Sequence, residues 1–178
     1  LDYDYITQYS YGIFESLNLI APRVQGGASS EDVGDESDLY EFLIDNNVPK
    51  PQADSFVRSV PTYWGNQPIL EAPAYIGASI VFLFILSLFV VKGPFKRWLL
   101  ISFLLSLMLS WGKNFPLLTN FFIDYVPFYN KFRAVSSIQV ILEFAVPLLA
   151  VIGLHKFLAD SNLKNIKRSF AIFSVPLI

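Results

Sequence analysis

The sequence predicts an all-α membrane protein fragment: three transmembrane helices and the start of a fourth, joined to a large extracytoplasmic loop region that contains short helices. The first observation behind this is a pair of apolar runs. Residues 73–91, PAYIGASIVFLFILSLFVV, carry no charge, and WLLISFLLSLMLSW begins at Trp98 after a short basic patch, KGPFKR. At ~1.5 Å per helical residue the first run reaches roughly 28 Å, about the hydrocarbon thickness of a bilayer. The second observation is an uneven division of charge. Residues 1–72 hold twelve acidic residues against Arg23, Lys50 and Arg58, whereas residues 73–178 hold ten Lys or Arg against Asp124, Glu143 and Asp160. An acidic part joined to basic loops is the pattern of a multi-pass protein whose acidic part lies outside.

Composition narrows the chemistry. A mean hydropathy of +0.46 and 53% hydrophobic residues fit a membrane protein with a sizeable extramembrane part. With no Cys there is no disulfide framework and no thiolate metal site or nucleophile. His155 is the single His, so neither a His-based metal cluster nor a Ser-His-Asp triad can be assembled from these residues, and no metal site is expected. There is no Walker loop, dinucleotide fingerprint, zincin motif or nucleic-acid-binding stripe, and no cofactor is identified. The chain begins at Leu1 and ends at Ile178 inside an apolar run, and it reads as part of a longer protein.

Residues 1–72 read as one extracytoplasmic loop region. Its aromatic-rich start includes residues 14–20, expected either to lie amphipathically at the bilayer interface or to pack as a loop on the rest of the protein. GGASSEDVGDES is a polar, exposed segment. DLYEFLID predicts a short helix on which Leu39, Phe42 and Leu43 share a face, ended by Pro49 and Pro51. QADSFVRSV predicts another, running to Pro61.

The transmembrane region is residues 73–178, with helices expected at about 73–91, 94–111 and 134–154 and a truncated one at 169–178. Proline is tolerated in a first helical turn, which suits Pro73 and Pro94 as starts. Lys96 and Arg97 can snorkel at one end of the second helix and Trp111 can anchor the other. The outer loop, 112–133, contains a stretch at 117–125 between Pro116 and Pro127 that is too short to span and reads as an interfacial or re-entrant helix. The basic loops at 92–97 and 155–168 fall on one side, assigned to the cytoplasm; 1–72 and 112–133 share the other. The expected location is a membrane crossed several times, with the lipid bilayer as the first partner.

Three groups of residues could carry function. Glu143 lies within the third membrane helix, with Ser136 and Gln139 at helical spacing, so an intramembrane polar stripe is expected to face the bundle interior. Pro147 removes the N–H that would have bonded the Glu143 carbonyl, at an expected kink. This stripe reads either as a cavity lining or as a protonated Glu bonded to a neighbouring helix. Arg133 and Lys131, where the outer loop enters the third helix, and Lys113, just past Trp111, are candidates for a phosphate at headgroup depth or for plain interfacial anchoring. Tyr63, Trp64, Asn66 and Gln67, in PTYWGNQP, offer an aromatic and polar surface for a sugar or acceptor, or a structural turn before the first membrane helix. The carboxylates Asp2, Asp4, Glu15, Asp32, Asp35 and Asp38 read mostly as a solvated acidic face, in which spacing singles out no catalytic pair.

Several blocks together, YSYGIFESLNLIAPRVQGG, VPTYWGNQP, PAYIGA and SWGKNFPLLTNFFIDYVPFYNKFRA, followed by a Pro-containing apolar helix, resemble the YfhO family of bacterial polytopic membrane proteins over roughly residues 1–155. That family is similar to the GT-C glycosyltransferases. The resemblance implies sugar transfer from a polyprenyl-phosphate donor to a cell-envelope glycan or lipid acceptor on the outer face of the membrane. It also implies a catalytic carboxylate in a first external loop outside these residues, so the catalytic residue is unknown here. By position, the 113–133 loop would face the donor lipid, and Arg133, with Lys131 and Lys113, would meet its phosphate. Two other readings stay open: a transporter or flippase-like protein, and a non-catalytic structural component of the membrane.

Overall fold

The computed structural model describes residues 2–131 and 133–159. The expected fourth helix at 169–178 and most of the expected 155–168 loop lie outside the described residues. Among the described residues the fold is all-α, with no strand and one isolated antiparallel bridge between Glu31 and Val60.

Three apolar helices form the frame: α4 (Ala78–Val90), α5 (Pro94–Ser110) and α7 (Gln139–Ala159). The shorter α1 (Tyr3–Ile6), α2 (Asp38–Asp45), α3 (Lys50–Val57) and α6 (Pro116–Tyr125) surround one end of it or extend from it. Helices α4 and α5 each pack on α7, which is central, and meet one another through the rings of Phe84 and Phe103, 5.3 Å apart. Small residues set the closest crossing. A Cβ on Gly153 would stand 2.4 Å from the Cβ of Ser87, so the two backbones approach as only a glycine permits. Ser87 faces Gly153 while Phe84 and Val146 line one cavity, so α4 runs parallel to α7. The Gln139 amide reaches the Ser110 hydroxyl at 3.4 Å, so the end of α5 meets the start of α7 and the two run antiparallel.

The expectation of three bilayer-length helices needs correction. Among the described residues one helical stretch, Val135–Ala159, is long and apolar enough to cross a membrane. It begins with a 3-10 turn, Val135–Ile138, and its helix continues past the expected end at Leu154 through His155 and Lys156. Helix α4 has 13 residues rather than the expected 19. Gly77, at φ +103°, breaks helical propagation, and residues 73–77 stay irregular, with the Tyr75 hydroxyl accepting from the Ala78 N–H at 3.0 Å. Thirteen residues reach only about 20 Å, short of a bilayer core. Helix α5 has the expected limits within one residue, but its 17 residues include Lys96 and Arg97 in the first turn or just after it. Lys96 does not snorkel outward. Its Nζ donates to the Leu88 carbonyl at 2.6 Å and satisfies an end of α4 across the Gly93 turn.

Residues 2–19 fold onto the end of the frame where α5 finishes and α7 begins. Tyr11 N–H donates to Ser110 O at 2.8 Å, Ser136 N–H to Tyr9 O at 3.2 Å, and Ile76 N–H to Leu19 O at 3.1 Å. The Trp111 indole donates to Ser16 Oγ at 2.9 Å, so this ring is held by the protein rather than free as an anchor. Within the 3-10 helix Phe14–Leu19, Glu15, Asn18 and Leu19 are buried while Phe14 and Leu17 are exposed. Glu15 and Asn18 therefore point in with Leu19, while Phe14 and Leu17 point out. Farther along, the Ser37 side chain caps α2, accepting from the Tyr40 N–H. Pro49 and Pro51 do not end α2 but open α3, where a missing N–H costs nothing, and α3 stops at Val57, short of Pro61.

Candidate functional site

The site is built around a buried carboxylate. Glu15 is fully buried, and its oxygens accept from the Gly12 N–H at 2.5 Å, from the Tyr63 hydroxyl and from the Asn66 N–H at 3.4 Å. Among the described residues no Lys or Arg pairs with it; the ion pair present is Arg23 with Glu31, at 2.8 Å. Neutral donors alone therefore hold the charge. The Tyr63 hydroxyl in turn accepts from the Gln67 N–H at 2.9 Å. Burial first, and then the hydrogen bond to Glu15, push the Tyr63 phenol above its ordinary pKa. A Cβ on Gly65 would stand 2.2 Å from the Tyr63 hydroxyl, so any larger residue there would displace the Tyr63 ring from Glu15.

This turn and the Tyr11 segment form two walls of a cleft of about 370 Å³, closed by the start of α7. Tyr11, Gln67, Ser136, Ser137, Gln139 and Glu143 line it. The Ser136 hydroxyl approaches Gln67 Oε1 at 3.5 Å. The Tyr11 hydroxyl is buried at the cleft and makes no hydrogen bond among the described residues, and neither does the buried Asn18 Nδ2. Burial, followed by the negative charge of Glu15, raises the Tyr11 pKa, against a smaller opposing effect of the Asn18 and Gln139 amides. Among the described residues no Lys or Arg lines this cleft, and its one carboxyl group is that of Glu143.

A second cleft of about 320 Å³ lies alongside, lined by Asp4, Thr7, Gln8, Asn66, Pro68 and Lys113. Asn66 thus belongs both to the Glu15 cluster and to this second cleft. Arg133 stands over the Tyr5 ring, its guanidinium carbon 5.1 Å from the centroid. Lys113 and Arg133 are therefore both neighbours of α1, through Asp4 and Tyr5. Lys131 is exposed in a 3-10 turn, Tyr129–Lys131.

The sequence candidates are thus regrouped. Gln67, Ser136, Gln139 and Glu143 come together, although they derive from different sequence signals. The α7 stripe does not face the bundle interior throughout: Gln139 is buried, Ser136 precedes the helix, and Glu143 is exposed at the cleft. The helix runs through Pro147 as one element. Tyr63, Trp64, Asn66 and Gln67 do not present one surface, because Tyr63 turns in toward Glu15 while Trp64 is exposed. Tyr11 and Glu15 carry the arrangement. Tyr11 was not singled out by the sequence, and Glu15, expected in a mostly solvated acidic face, is fully buried instead because neutral donors from two segments close around it. Among the described residues no group of three His, Cys, Asp or Glu is placed to hold a metal ion. No family model matches this chain, and no curated protein or solved structure matches it either.

Proposed function

We propose that the chain is part of a multi-pass GT-C-like glycosyltransferase of the YfhO type, acting at the outer face of a bacterial inner membrane on a polyprenyl-phosphate-linked sugar and a cell-envelope acceptor. The observation that carries this reading is the cleft of Tyr11, Gln67, Ser136, Gln139 and Glu143. Neutral donors and acceptors with one carboxyl group among the described lining residues suit a hydroxyl-rich ligand better than a phosphate. The phosphate is met instead from the α1 side, where Lys113 and Arg133 supply positive charge. In this reading α4 and α5 lie in the bilayer beside α7. Residues 1–72 and 112–133 then face outward, and the 92–97 turn faces the cytoplasm.

The test is sugar transfer by the full-length protein from polyprenyl-phosphate sugars, comparing wild type with Gln67→Ala and Arg133→Ala. Each variant is expected to lose about tenfold in kcat/KM, the size of one ligand hydrogen bond or phosphate contact (~1.4 kcal/mol), at unchanged expression and melting. Wild-type protein that transfers none of several sugars to any of several envelope acceptors would refute the reading.

A further inference from the structure

Helix α6 has two unlike sides. Leu118, Phe122, Ile123 and Val126 pack against a core cluster that includes Leu109 and Val135. On the outer side Leu117, Phe121 and Tyr125 succeed one another at four-residue spacing, so they form one line along the helix. They are 81%, 54% and 74% exposed, and the Phe121 and Tyr125 rings lie 5.2 Å apart. Asn120 and Asp124, also exposed, follow a neighbouring line on the far side from Phe122. The exposed surface is thus divided lengthwise into an apolar strip and a polar strip, as for a helix lying flat at a boundary between hydrocarbon and water.

Its depth is fixed by its neighbours. The inner side of α6 touches the cluster containing Val135, the first residue of the stretch long enough to cross a membrane. The Thr119 hydroxyl also bonds Gly112 O at 2.9 Å, close to the end of α5. Ten residues span about 15 Å and cannot cross a bilayer. Exposed cations stand before and after the helix, Lys113 on one side and Lys131 and Arg133 on the other, where phospholipid phosphates would lie. The nearby Phe14–Leu19 turn, bonded to Trp111, repeats the pattern with Phe14 outward.

We propose that α6 is an interfacial helix whose Leu117, Phe121 and Tyr125 strip rests in the phospholipid headgroup layer on the side of residues 1–72, with Asn120 and Asp124 toward water. The occupant of this face is lipid, and the flanking cations are what favour lipid over a second copy of the chain. The inference rests on the membrane reading of α7 proposed above.

The test attaches a nitroxide at single cysteines in the full-length protein, in phospholipid nanodiscs and on a cysteine-free background. Phe121→Cys reports the apolar strip, Asn120→Cys the polar strip and Val151→Cys the exposed side of α7. Collision with oxygen marks lipid, and collision with a water-soluble nickel chelate marks solvent. The expected ratio of oxygen to nickel collisions is several-fold higher at 121 than at 120. Leu117→Cys gives the same reading if the 121 variant does not fold. Nickel access at 121 equal to that at 120 overturns the inference, and so does a label at 121 that neither collider reaches, which means protein covers it. Nickel access at 151 would bring down the membrane reading itself, so the two failures are told apart.

Discussion

The Tyr63 hydroxyl donates to the carboxylate of Glu15 across 48 positions of sequence, and this bond joins the PTYWGNQP turn to the segment that carries Tyr11. Removing the donor leaves a buried carboxylate with backbone N–H partners alone. Tyr63→Phe is expected to destabilise the full-length protein in detergent by about 1.5–3 kcal/mol, the range for a hydrogen bond to a charged group. A thermal melt would show it as a lowered Tm. Glu15→Gln should cost less than Glu15→Leu, because an amide can still accept from Gly12. Equal melts for all three variants would mean that the cluster does not hold the turn.

Tyr11 presents the opposite case. Its buried hydroxyl has no partner among the described residues, so deleting it removes an unsatisfied group. Tyr11→Phe is expected to leave Tm unchanged or slightly higher. If the cleft holds the sugar, the same variant loses transfer activity by about tenfold, since a ligand contact of ~1.4 kcal/mol is gone. A variant with wild-type activity would remove Tyr11 from ligand contact.

The Ser87–Gly153 crossing leaves no room for added volume. Gly153→Ala is expected to cost about 1–3 kcal/mol through overpacking, while Val151→Ala, on an exposed side of α7, should change little. Differential scanning of the two variants in the same detergent decides the matter. A Gly153→Ala protein as stable as wild type would mean that α4 and α7 can separate without loss.

Alkaline pH should unfold the protein through its phenols. Tyr11 and Tyr63 both have raised pKa values when folded, mainly from burial. Their neutral forms are favoured in the fold, so this stability is complete below the ordinary tyrosine value of about 10 and is lost as pH rises toward the folded values. Absorbance near 295 nm, followed against pH, should show exposed tyrosines ionising first, with these two following only as structure is lost. Ionisation of every tyrosine in one step near the ordinary value, with the helices intact, would contradict the burial.

Local signals were readable where chain geometry alone sets them. The Gly93-Pro94 pair marks the start of α5, and DLYEFLID marks α2. The start of α4 was misjudged because composition cannot show that Gly77 adopts φ +103° and leaves 73–77 irregular. Pro49 and Pro51 were read as terminators, whereas proline serves equally in a first turn. The site was legible only in pieces. Gln67, Ser136, Gln139 and Glu143 could each be picked out, but their convergence depends on contacts between distant segments. Glu15 was read with the solvated carboxylates, because its burial depends on Tyr63, 48 positions away.

The central place of α7 has a consequence for biosynthesis. Both α4 and α5 pack on α7, which leaves the ribosome only after the whole of residues 112–138 has been made. Two apolar helices must therefore emerge and wait without their common partner, neither of them long and apolar enough to cross a membrane by itself. Whatever shelters nascent apolar segments has to retain this pair until α7 arrives to lock them. A nascent chain stalled before residue 139 should remain bound to that machinery, whereas one stalled well after Ala159 should be released from it.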